Sequence, residues 1–111
     1  MLKNTLNSIS PLDGRYATKL EDLEQYFSEF ALIKNRVLVE INWLIFMSRT
    51  KSLSFIPALS KSKENSLLKV IDNFSIKDAE QIKKIEAKTN HDVKAVEIFI
   101  GKKLESLNLN K

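Results

Sequence analysis

Residues 28–48 read SEFALIKNRVLVEINWLIFMS, and this stretch decides the fold. Its apolar residues recur at spacings of three and four, which is the period of an α-helix. They fall into two stripes, Leu32, Val39, Trp43 and Phe46 on one side and Phe30, Val37, Ile41 and Leu44 on the other. The stripes are offset by two residues, about 200° at 3.6 residues per turn, so they occupy opposite faces. A helix apolar on both sides is either central to its domain or covered by something outside it. Glu40 and Asn42 interrupt the run, and it is too short to span a bilayer.

The helical period extends outward in both directions. Upstream, Leu20, Leu23, Phe27 and Phe30 keep spacings of three and four from Thr18 onward. Residues 1–17 have no sustained period and carry Pro11, Asp13 and Gly14, which reads as an extended arm with a turn. Downstream, residues 51–58 form a connector ended by Pro57, and Ser60 or Ser62 can cap a helix with Leu67, Val70, Ile71 and Phe74 on one face. Ser75-Ile76-Lys77-Asp78 has the form of a capping box, opening a helix through Ile76, Ala79, Ile82 and Ile85. Thr89 and Asn90 break that helix, and Asn90 is suited to cap the next, whose apolar side is Val93, Val96, Ile100, Leu104 and Leu107. Residues 108–111 are a polar tail. No segment alternates with period two long enough to make a strand. The expected fold is all-α, five or so helices after an N-terminal arm, in a single domain over residues 1–111.

Composition narrows the function. With 43% hydrophobic residues the chain can bury a core, and with no cysteine it holds neither a disulfide nor a thiolate metal site. There is no apolar leader at the start, so a soluble cytoplasmic protein is expected, with no membrane partner. The net charge is +4, but the 18 basic residues include only three Arg (Arg15, Arg36 and Arg49), and the Lys are scattered among acids. Nucleic-acid readers concentrate Lys and Arg on one face, so no nucleic-acid partner is expected. Lys83, Lys84 and Lys88 form the densest cluster, with Glu80 and Glu86 among them, and read as a solvated helix face. A single histidine with no cysteine cannot assemble a zinc site, so no metal is expected.

Two segments could carry chemistry. Ser10-Pro11-Leu12-Asp13-Gly14-Arg15-Tyr16 contains an Asp-Gly turn signal. The turn is a structural device before the first helix, or it displays Arg15 and Tyr16, a fork-shaped cation beside a phenol, to an oxyanion such as phosphate. Asn90-His91-Asp92-Val93-Lys94 places the only histidine at an expected helix start, where unpaired backbone N–H groups favour an anion. A histidine there can equally be a cap, and Lys94 with Glu97 an ordinary i,i+3 pair.

Taken together, the segments resemble a known family. Residues 10–16 are similar to the S-P-x-D-G-R-Y motif of bacterial adenylosuccinate lyases, and residues 89–97 to their T-N-H-D-V-K-A-V-E segment. Phe27-Ser28-Glu29, Lys34, Arg36-Val37, Val39-Glu40, Trp43-Leu44 and Pro57-Ala58 resemble the family as well, while residues 60–73 depart most. The resemblance implies the helical N-terminal domain of a fumarase/aspartase-superfamily enzyme of purine nucleotide synthesis. It implies a β-elimination that releases fumarate, without metal or organic cofactor, in a homotetramer. Residue by residue it assigns Arg15, Tyr16, Asn90, His91 and Asp92 to binding the purine nucleotide substrate and leaves Lys94 open. The family's serine loop, S-S-x-M-P-x-K-x-N, has no counterpart here, and its general-acid histidine belongs to a later domain. No catalytic residue is therefore expected in this chain, and no lyase activity from it alone. The competing readings are a small helical protein-interaction module and, less well supported, a nucleic-acid-binding helical domain.

Overall fold

The structure, a computed structural model, describes residues 5–50 and 57–107. Residues 51–56 of the expected connector, residues 1–4 of the arm and the expected tail, residues 108–111, lie outside the described residues. The fold is all-α: α1 (Glu24–Phe27), α2 (Glu29–Arg49), α3 (Lys61–Asp72), α4 (Ile76–Thr89) and α5 (Asp92–Ser106), with 3-10 turns at Thr5–Asn7 and Ala17–Leu23. Among the described residues there is no strand. The chain divides into two compact units, Met1–Leu32 and Ile33–Lys111.

In the first unit the described part of the arm, residues 5–17, is not extended. Pro11 fixes its own φ, and the Ser10 hydroxyl accepts from the Leu12 N–H at 3.1 Å. Consecutive turns follow, in which the Asp13 N–H donates to the Ser10 carbonyl at 3.0 Å and the Tyr16 N–H to the Pro11 carbonyl at 3.0 Å. Gly14 is buried, and no described glycine has a positive φ. The helical period through Leu20, Leu23 and Phe27 is real but split: a 3-10 segment leads into the single turn of α1, which ends at Ser28 with ψ 164. Ser28 then caps α2, its hydroxyl accepting from the Ala31 N–H at 3.0 Å. A local side-chain cap thus overrides a period that runs on unbroken in the sequence.

In the second unit the core is built from one side of each helix. On α2 the buried seam is Ile33, Val37, Ile41 and Ile45, with Leu44 of the expected stripe only half-buried. Leu67 and Ile71 of α3, Phe74 after it, and Ala79 and Ile82 of α4 are buried as the periodicity predicts, whereas Val70 and Ile85 are only half-buried and Ile76 at the start of α4 is exposed. On α5 the seam is Ala95, Val96, Phe99 and Ile100, whereas Val93 is exposed, so the expected stripe is rotated toward Phe99. The rings of Phe74 and Phe99 meet edge to face at 5.9 Å, an arrangement that adds to their area burial.

The caps fix where helices begin. The Ser60 hydroxyl accepts from the Lys63 N–H at 3.2 Å and opens α3. Ser75 and Asp78 form a complete capping box on α4. Arg49 at the end of α2 reaches Glu64 in the first turn of α3 through two contacts, Nε–Oε1 at 2.9 Å and Nη2–Oε2 at 2.6 Å. Glu64 is buried, and its bond to Arg49 holds its carboxyl below the ordinary carboxylate range. Among the described residues no buried side-chain polar atom lacks a partner.

Candidate functional site

The Pro11–Tyr16 turns present Arg15 and Tyr16 side by side at the surface. The Arg15 guanidinium donates to the Tyr16 hydroxyl at 2.7 Å and lies 4.6 Å from the ring centroid. The phenol oxygen accepts from a cation, which leaves its own proton to donate outward. Lys19, one turn into the following 3-10 segment, sets its ammonium 6.0 Å from the same ring. Two cations therefore lie near one phenol, an arrangement suited to an oxyanion. The motif singles out Arg15 and Tyr16 as candidates; Lys19 joins them only in the fold, because nothing in its spacing separates it from other surface lysines.

The second segment lies in the other unit, at the junction of α4 and α5. Asn90 is not the N-cap of α5. It closes α4 in the left-handed conformation, φ 53 and ψ 32, and its N–H donates to the Glu86 carbonyl. Asparagine tolerates that conformation where most residues do not. His91 takes the N-cap position, its Nδ1 accepting from the Lys94 N–H at 3.1 Å. Thr89 braces it: the His91 N–H donates to the Thr89 hydroxyl at 3.2 Å, and that hydroxyl donates to the His91 carbonyl at 3.1 Å. An Nδ1 that accepts carries no proton, so the neutral ring bears its proton on Nε2. The exposed imidazole thus offers a hydrogen-bond donor to solvent.

Asp92 is held from two sides. Its Oδ1 accepts from the Val93 N–H at 2.8 Å, and its Oδ2 pairs with Arg36 Nη2 of α2 at 3.0 Å. The backbone bond from Val93, and then the Arg36 charge, keep the Asp92 carboxyl below its ordinary value. No local pattern marks Arg36, because its partner lies on a helix remote in sequence. Lys94 pairs with Glu97 at 3.5 Å, the i,i+3 contact that the spacing allowed. Among the described residues no cluster of His, Asp and Glu could hold a metal ion.

The amino-acid sequence is similar to that of several curated proteins. Over 105 residues, 95% of its length, the chain is 44% identical to an adenylosuccinate lyase of Legionella pneumophila (strain Corby). In sequence, the chain is similar to adenylosuccinate lyases along nearly its whole length. It is likewise 44% identical over 106 residues to the Haemophilus influenzae adenylosuccinate lyase, and 46% identical over 104 residues to that of Dictyostelium discoideum. The chain spans about 23% of the Legionella and Haemophilus relatives' length and 22% of the Dictyostelium one. No family model matches it. Among the described residues no helix is long and apolar enough to cross a membrane.

Proposed function

We propose that the chain is the substrate-binding N-terminal domain of an adenylosuccinate lyase, a cytoplasmic homotetramer that eliminates fumarate from adenylosuccinate to give AMP and acts likewise on the succinyl-carboxamide ribotide of purine synthesis. The observation that carries this reading is identity of 44% maintained over 95% of the chain. The geometry supports the division of roles. Arg15 and Tyr16, with Lys19 beside them, hold the nucleotide's phosphate through charge-assisted bonds. His91 donates from Nε2 to a substrate oxygen. Asn90 sets the turn that aims His91, and Asp92, anchored by Arg36, fixes the start of α5 and contributes to the same binding set.

In such an elimination a base removes the proton beside a carboxylate, charge builds on that carboxylate, and an acid protonates the departing nitrogen. The residues here bind and orient. His91 is the single histidine of the chain, and its Nδ1 is committed to the Lys94 N–H. The proton-transfer pair then belongs to the remainder of the enzyme, and the chain alone gives no turnover.

A chimera tests the reading. Residues 1–111 replace the matching segment of the Haemophilus influenzae enzyme, and fumarate release from adenylosuccinate is followed. The expected result is an active enzyme that loses about a hundredfold or more in kcat/KM when Arg15 or His91 is replaced by Ala, as for removal of charge-assisted contacts to substrate. A chimera that assembles as the parent does but releases no fumarate overturns the assignment, as does turnover by the isolated chain for the division of roles.

A further inference from the structure

An open cleft of about 600 Å3 runs between α4 and α5. Lys84 and Lys88 stand on its α4 side, Lys102 and Lys103 on its α5 side, and Ile85 and Ile98 supply apolar lining. No carboxylate lines it, and none of the four lysines has an ion-pair partner among the described residues. Neighbouring lysines do: Lys83 pairs with Glu86 at 3.2 Å and Lys94 with Glu97 at 3.5 Å. In sequence Lys83, Lys84 and Lys88 read as one solvated face diluted by Glu80 and Glu86. The fold separates them, giving the Glu86 carboxylate to Lys83 and bringing Lys84 and Lys88 opposite two lysines of α5.

Lys103 is also anchored, its ammonium 5.4 Å from the centroid of the buried Phe99 ring. Four lysines lining one cleft gather like charge, and an anion seated between them offsets that repulsion while accepting hydrogen bonds from their ammonium groups. Exposed single pairs contribute little, so the occupant has to carry several charges close together. We propose that this cleft binds a compact small molecule bearing a polyphosphate group, through Lys84, Lys88, Lys102 and Lys103. None of these belongs to the substrate-binding set above.

The probe is sodium tripolyphosphate, titrated calorimetrically into the full chain at low ionic strength. Saturable one-to-one binding that weakens steeply with added salt is expected. The triple variant Lys84→Gln/Lys88→Gln/Lys102→Gln weakens it by about tenfold or more, on the scale of a few exposed charge pairs. The control Lys61→Gln/Lys63→Gln/Lys77→Gln, with the same loss of charge at exposed helix starts, changes it by less than about twofold on the same scale. Circular dichroism confirms that both variants keep their helix content. Equal weakening in the two triple variants, an unchanged affinity in the first, or no saturable binding at all overturns the proposal.

Discussion

His91 gives one ring nitrogen to the backbone and the other to solvent. Capping and the proposed ligand binding are separable there, because different atoms carry them. His91→Ala removes the acceptor for the Lys94 N–H, and unfolding in urea should show a loss of about 1 kcal/mol, the usual cost of an N-cap. His91→Asn restores an acceptor at the cap but has no donor where Nε2–H was. It should hold most of the stability, and the chimera carrying it should still lose activity. If the Asn variant is as unstable as the Ala variant, the cap is not what His91 supplies. Asp92 and Glu64 make a second residue-scale prediction. Both carboxyls sit below their ordinary values of 3.8 and 4.5 in the folded chain. A group with a depressed folded pKa favours folding at any pH above its unfolded value, and that contribution is lost as pH falls through the folded value. Stability should therefore decline as pH drops below about 4.5, where the unfolded glutamate begins to take up protons. The variant Arg36→Met/Arg49→Met should show a flatter decline in denaturation curves taken at successive pH values, from a lower starting stability. An unchanged slope would show that neither pair is coupled to folding.

At the scale of elements, helix ends are decided by a few side chains. Ser75→Ala removes one half of the capping box on α4 and should cost about 1 kcal/mol in the same urea assay. Asn90 occupies the left-handed region, so Asn90→Gly should be nearly neutral, whereas Asn90→Val should cost about 1–2 kcal/mol. Equal stability of the Gly and Val variants would mean that the backbone relaxes out of that conformation. The helices themselves and the Ser75–Asp78 box were legible in the sequence, and the cap of α3 was narrowed to Ser60 or Ser62, since each rests on residues within one or two turns. Three features were not. The break at Ser28 hides under an apolar period that continues from Phe27 to Phe30. The exchange of roles between Asn90 and His91 is hidden because asparagine suits both a left-handed helix end and an N-cap. The Arg36–Asp92 pair joins helices far apart in sequence, so no local pattern marks it. The candidate binding residues stand out only through two motifs read together, because each alone has an ordinary structural explanation.

For the whole chain, the two faces of α2 pose a question of solubility. Val37 and Ile41 are essentially inaccessible, while on the other face Val39 and Phe46 are each 60% exposed and Trp43 is 54% exposed, its ring stacked on Phe46 at 5.7 Å. Burying this face between two copies would remove roughly 500 Å2 of apolar surface, worth about 12 kcal/mol at about 25 cal/mol per Å2. Association itself costs about 4–15 kcal/mol before side-chain ordering, so the two terms nearly cancel and the balance is a weak complex. A net charge of +4 on each copy opposes it further, and salt screens that repulsion. The isolated chain should thus be monomeric when dilute and low in salt, and should associate reversibly as protein and salt concentrations rise. Hydrophobic-dye fluorescence should track the exposed face. Sedimentation of the variant Trp43→Gln/Phe46→Gln should show a monomer throughout, because the removed rings supply most of the buried area. If the unmodified chain stays monomeric at high concentration and high salt, or if the variant associates just as readily, the exposed stripe of α2 does not drive association.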